Sequence, residues 1–145
     1  MRALLLGCVG CLLLLGAGNA PPDGVLAPLA QALDEAQAHV AALAKNAANA
    51  SPLTLAIPTD DEQGALSAVV DADGALDRIM HGPTAVLPRD TDIAVLAELD
   101  RAHDALASYA QARLHGNRNL MRAAAAAAGE ALARADAILG ARHNY

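Results

Sequence analysis

The sequence predicts an all-α fold, an up-and-down four-helix bundle behind an N-terminal signal segment. Three observations carry that prediction. Apolar residues make up 54% of the 145-residue chain, yet it contains no Phe, no Trp and only two Tyr. The apolar content is mainly Ala and Leu, which favour helices, while strands prefer β-branched and aromatic residues. Four stretches after residue 20 repeat apolar residues with alternating 3-4 spacing, the mark of a helix packed along its length. Connections of about ten residues or fewer separate them, short enough to make each helix a neighbour of the next.

The first twenty residues, "MRALLLGCVGCLLLLGAGNA", place one positive charge, Arg2, before an apolar run from Ala3 to about Gly18. Small residues follow, which is a secretory signal pattern. The run is shorter than the ~20 residues of a spanning helix. Cleavage is expected after Gly18 or after Ala20. Pro21 beside the second position disfavours it, and an uncut anchor is the remaining alternative. Both cysteines, Cys8 and Cys11, lie in this segment. Leu12 follows "CVGC" where haem attachment needs His. "LLGC", Leu5 to Cys8, resembles a bacterial lipobox, so lipoprotein anchoring is the minority reading. A cleaved chain has no thiol and no disulfide, and export to a bacterial periplasm or beyond is the expected localisation.

Residues 21–145 read as one bundle domain. Helix one is predicted from about Val25 to Ala48. Leu26, Leu29, Leu33, Ala36, Val40, Leu43 and Ala47 form its seam, Asp23 is its cap, and Pro28 is tolerable only in a first turn. "NAANASP" ends it, and "SPLTLAIPT" links onward. Helix two opens at "TDDE", with Thr59 as N-cap and Glu62 closing a capping box, while Asp60 and Asp61 suit the positive end of the helix dipole. Its seam is Ala65, Val69, Ala72, Leu76 and Ile79, and His81-Gly82 stops it. Within it, "VVDADGALDRIM" invites a calcium reading. An EF-hand register that puts Gly74 at position 6 leaves Val69 at position 1 and Met80 at position 12, where oxygen ligands are required. The helical register runs through the same stretch unbroken and sets Asp73 and Asp77 towards solvent. Gly74 is the expected place for a bend or a close helix approach.

Helix three is predicted from about Thr91 to Leu114. Val95, Leu99, Ala102, Leu106 and Tyr109 form its seam, with Leu96, Ala110 and Leu114 alongside. "HGN" makes a tight turn into helix four, about Arg118 to Ala141, whose seam is Met121, Ala125, Ala128, Leu132, Ala135 and Leu139. The alanine-rich run "RAAAAAAGEALA" favours helix, and its small seam lets a neighbour approach closely.

Charge is unevenly distributed. The formal net charge is −6. Asp60 to Asp104 contains eleven acids and three arginines, a balance of −8, whereas Arg113 to Tyr145 contains five arginines and two acids, a balance of +3. Helix four is therefore expected to lie against acidic neighbours. Nucleic acid is disfavoured by the negative balance. Flat cofactors and unstacked bases are disfavoured by the shortage of aromatic walls, since only Tyr109 and Tyr145 could supply one.

The suggestive polar cluster is Glu35 with His39 on helix one and Asp100 with His103 on helix three. Spacings of i,i+4 and i,i+3 put each pair on one helix face. "DRAH" is an Asp version of the Glu-x-x-His pattern of di-iron bundles, which use two such motifs and two further acids. Ser51, Ser67 and Ser108 lack the glycine-flanked elbow of a serine nucleophile. No catalytic residue and no cofactor is expected. The reading is an exported, non-enzymatic, alanine-rich helical bundle that binds a protein partner or helps to organise the cell envelope. It would meet the membrane only through an uncleaved or lipidated N-terminal segment. The alternative is a metal-binding bundle using His39 and His103, with Glu35 and Asp100 as accessory ligands.

Overall fold

The computed structural model describes residues 21–49, 57–82 and 89–141. The signal segment with its cleavage points, both cysteines, most of each longer connection and Tyr145 lie outside them. The described residues form four helices and no strand: α1 (Pro21–Asn49), α2 (Asp60–Met80), α3 (Arg89–Leu114) and α4 (Arg118–Gly140). α1 packs on α2 and α4, and α3 packs on α2 and α4, while the diagonal pairs stay apart. Bonds between helices join the end of one to the start of the next. Asn46 near the end of α1 reaches Asp61 at the start of α2, and Glu62 there reaches Arg113 at the end of α3. This is the arrangement a four-helix bundle requires.

The seams are the core. Each of the 23 residues read as a seam position in the four helices is buried. Alanines one position before a seam residue, such as Ala32, Ala68, Ala75, Ala124 and Ala131, widen the buried stripe. α3 and α4 pack most intimately. The alanine seam of α4 explains this, because small side chains allow two helix axes to approach.

Helix ends follow local chemistry. The Thr59 hydroxyl accepts from the Glu62 backbone N–H at 3.2 Å, the cap that the sequence predicts. The α3–α4 turn is a Schellman motif: Gly116 takes φ 66°, Asn117 N–H donates to Ala112 C=O at 2.8 Å, and Gly116 N–H donates to Arg113 C=O at 3.0 Å. Asn117 then caps α4 by accepting from Leu120 N–H. One residue thus closes one helix and opens the next.

Four expectations need correction. α1 begins at Pro21, so Asp23 lies within its first turn and does not cap it. The prolines at 21 and 22 suit a first turn, where no N–H is needed. Pro28 is interior to α1. The carbonyl it leaves unbonded belongs to Gly24, and both residues are exposed, so water can solvate it. Leu114 is 62% exposed, because the inward position at this end of α3 is taken by the buried Arg113. The close helix approach occurs at Gly64, not Gly74. A Cβ on Gly74 would meet only the Arg78 guanidinium, at 3.8 Å, whereas one on Gly64 would fall 2.6 Å from the His39 ring.

Asp71, Asp73 and Asp77 are exposed on a continuous α2, and Asp77 pairs with His81 one turn later.

Candidate functional site

Polar side chains concentrate at the end of the bundle where α1 and α3 finish and α2 starts. Two groups form there. In the first, the Asp61 carboxylate is held from α1 on both oxygens. His39 Nδ1 lies 3.1 Å from Oδ1, and Asn46 Nδ2 donates to Oδ2 at 3.0 Å. The His39 ring rests on the α2 backbone at Gly64, where no side chain stands in its way. His39 and Asp61 are both partly exposed.

Two glycine substitutions of opposite outcome are expected here. Gly74→Ala removes backbone entropy from the unfolded helix at an open site and should stabilise by about 0.5–1 kcal/mol. Gly64→Ala should give no such gain, because its methyl group displaces the His39 ring and breaks the bond to Asp61. In a His39→Ala background the Gly64→Ala substitution should become stabilising. Urea unfolding of the three variants and the double variant tests this, and equal gains at both glycines would contradict the close approach.

The second group is buried. Arg113 Nε donates to Glu62 Oε2 at 2.6 Å and its Nη2 to Oε1 at 3.2 Å, a two-pronged pair with both side chains at least nine-tenths buried. Glu62 therefore turns inward between α2 and α3 and does not fold back over the Thr59 cap. Tyr109, one turn before Arg113, is buried beside it. Its phenol is raised above the ordinary tyrosine value of about 10. Burial is the main cause, the Glu62 carboxylate adds to it, Arg113 opposes, and Asp61 contributes a smaller push. The folded state thus holds the phenolic proton more tightly than the unfolded chain does. That stabilisation is complete below the unfolded value and is lost as pH rises through the folded one. Tyr109→Phe should accordingly flatten the alkaline fall in stability, measured by urea unfolding at a series of pH values above about 9.

A third group links α3 to α4. Glu98 is buried and accepts from Arg101 on its own helix and from Arg134 Nε of α4 at 2.9 Å. An arginine of α4 therefore does neutralise an acidic neighbour, as the charge distribution predicts.

The four residues singled out from the sequence do not converge. Glu35 is exposed and accepts from Gln31 at 3.0 Å. His39 is engaged with Asp61 of α2. Asp100 and His103 are exposed on α3, where they line a cleft of about 250 Å³ with Val69, Val70 and Asp73 of α2 and with Leu99. α1 and α3 are diagonal helices, so the bundle core separates the two pairs. Among the described residues no three His, Cys, Asp or Glu side chains gather as a metal-holding set. Ser67 and Ser108 are exposed, and Ser51 lies outside the described residues.

The positions of three of the buried charges carry a signal in the sequence. Stepping the α2 seam back three residues from Ala65 gives Glu62. Stepping the α3 seam back from Val95 gives Asp92, and stepping it forward four from Tyr109 gives Arg113. All three are buried.

A wider concavity than the α2–α3 cleft lies on the outer face of α3 and α4 near their turn. This groove of about 840 Å³ is lined by Ala105, Ser108 and Ala112 of α3 and by Leu120, Ala123 and Ala127 of α4, among others. Most of its wall residues are alanines, and Leu120, 57% exposed, stands among them. Such a surface offers apolar contact and shape, with Ser108, Gln111, His115 and Asn117 as its polar members.

Comparison with protein-family models, with curated proteins and with solved structures finds no match to this chain.

Proposed function

We propose that this protein is an exported, non-enzymatic up-and-down helical bundle that acts by binding a partner protein through its α3–α4 face. The observation that carries this reading is the alanine-lined groove. Stacked alanines leave a shallow channel between two helices that larger apolar side chains of a third helix can fill, the usual mode by which a groove receives an amphipathic helix. Export is supported by the Arg2 and apolar-run pattern of residues 1–20. No described helix is long and apolar enough to cross a membrane.

With Cys8 and Cys11 replaced by Ser the chain has no other cysteine, which makes a site-directed test clean. Ser108→Cys, in the groove, and Asp71→Cys, exposed on α2, each carry a thiol-linked photo-crosslinker in envelope fractions. The groove position should give one discrete adduct that disappears when Ala123→Arg fills the channel, and the α2 position should not give it. The same adducts from both positions would refute the assignment.

A further inference from the structure

The four helix interfaces are unequal, and the weakest is identifiable. α2 and α3 pack least closely of the four neighbouring pairs. The 250 Å³ cleft lies in that interface, with the buried Val69 and Leu99 among its lining. Its two lips carry like charge, Asp73 on α2 and Asp100 on α3, with the His103 ring beside them. Carboxylates on both sides of a seam disfavour its closure. The Glu62–Arg113 pair ties the two helices at one end of this seam. For a buried ion pair, desolvation offsets much of the attraction.

The other interfaces are closed differently. α1 and α2 share the Asp61 bonds and the seating of His39 on Gly64. α3 and α4 share a tight turn and the Glu98–Arg134 bond. α1 and α4 meet where Val40 stands over Gly129, at 3.6 Å from where a Cβ would lie, so a side chain there rests on bare backbone.

We propose that the bundle opens along the α2–α3 seam, with the α1–α4 interface as hinge and Glu62–Arg113 as latch. The α1–α2 and α3–α4 hairpins move as units. Opening uncovers Val69 and Leu76 on α2 and Leu99 and Leu106 on α3, a second apolar surface distinct from the α3–α4 groove. The device is independent of whether that groove takes a partner. Sub-global opening along the least-packed edge, below the cost of full unfolding, is a general property of folded proteins.

Two size-matched reporters test it in the chain with Cys8 and Cys11 replaced by Ser. Val69→Cys lies in the proposed opening seam and Val40→Cys in the hinge, and both positions are buried. Labelling by a soluble thiol reagent should be at least tenfold faster for Val69→Cys, after each variant's global stability is measured by urea unfolding. Its rate should also depend weakly on urea, because opening exposes little surface, whereas the Val40→Cys rate should follow global unfolding. Equal corrected rates with the same urea dependence would overturn the proposal. Glu62→Gln should raise Val69→Cys labelling further than its effect on global stability accounts for, and a parallel rise at Val40→Cys would remove the latch. Asp100→Asn, an exposed change that relieves the lip repulsion, should slow Val69→Cys labelling. If it leaves that rate unchanged, the charge argument fails even where the Glu62 variant does not fold.

Discussion

Glu62→Gln and Arg113→Met, made singly, should each lower stability by about 3–5 kcal/mol, whereas Glu62→Leu and Arg113→Met made together should leave it near the parent value or above it. The asymmetry follows from burial. Each side chain is at least nine-tenths withdrawn from water, and the pair satisfies both carboxylate oxygens at once. Removing one partner leaves the other's buried charge without its counter-ion. Removing both exchanges two desolvated ions for apolar groups of similar volume, which a core of Ala and Leu accommodates. Urea unfolding of these variants, with Glu62→Leu made singly as well, forms a complete cycle. Single variants that cost less than about 1 kcal/mol would show that water reaches the pair, and the argument for a latch would fall with them.

The pair also shows what was legible in the sequence. The 3-4 spacing fixed which face of each helix is buried, and the same arithmetic extends to Glu62, Asp92 and Arg113. Glu62 was misread because it is also the third residue after a threonine cap, where a glutamate ordinarily folds back. Two local rules claimed one residue, and burial beside Arg113 decided between them. The antiparallel order makes this choice readable in retrospect, since the start of α2 must lie level with the end of α3.

The flanking residues were less legible for a geometrical reason. Periodicity identifies the inward face of a helix but not which neighbour stands on its left or right. Glu35, His39, Asp100 and His103 all lie beside seams, and what they meet depends on the hand of the bundle. In this structure His39 meets Asp61 and Gly64, while Asp100 and His103 border the acidic α2. The close approach was placed at Gly74 for the same reason. A glycine shows where a neighbour could come near, but the rotation of one helix against the next determines where it does. The α3–α4 groove was invisible for a different reason, because alanine is equally common in core and surface stretches of this chain.

Leu99→Ala and Leu132→Ala should each cost about 2–5 kcal/mol, while Asp73→Ala and Asp77→Ala should stay within about 0.5 kcal/mol of the parent. Both leucines are buried to within 1% and belong to the single cluster that all four helices share. Truncation removes apolar transfer energy and leaves a cavity, which the helix backbones cannot fully close. Leu132 carries much of the large apolar volume that α4 contributes, since most of its other seam residues are alanines. Its loss should therefore be felt on both sides, at α1 and α3. The aspartates stand on the solvent face of α2. Asp73 and Asp77 are also i,i+4 neighbours of like charge, so neutralising Asp73 should if anything stabilise by a few tenths of a kcal/mol. Asp77 differs, because its pairing with His81 offsets part of that repulsion. The leucine variants should thus lower the thermal midpoint by at least 8 °C, taking roughly 4 °C per kcal/mol for a domain of this size, and the aspartate variants by no more than about 2 °C. Circular dichroism melts of the four proteins provide the comparison. Aspartate variants as damaging as the leucine ones would mean that α2 is rotated from the face described here, and the acidic lip of the α2–α3 cleft would go with it.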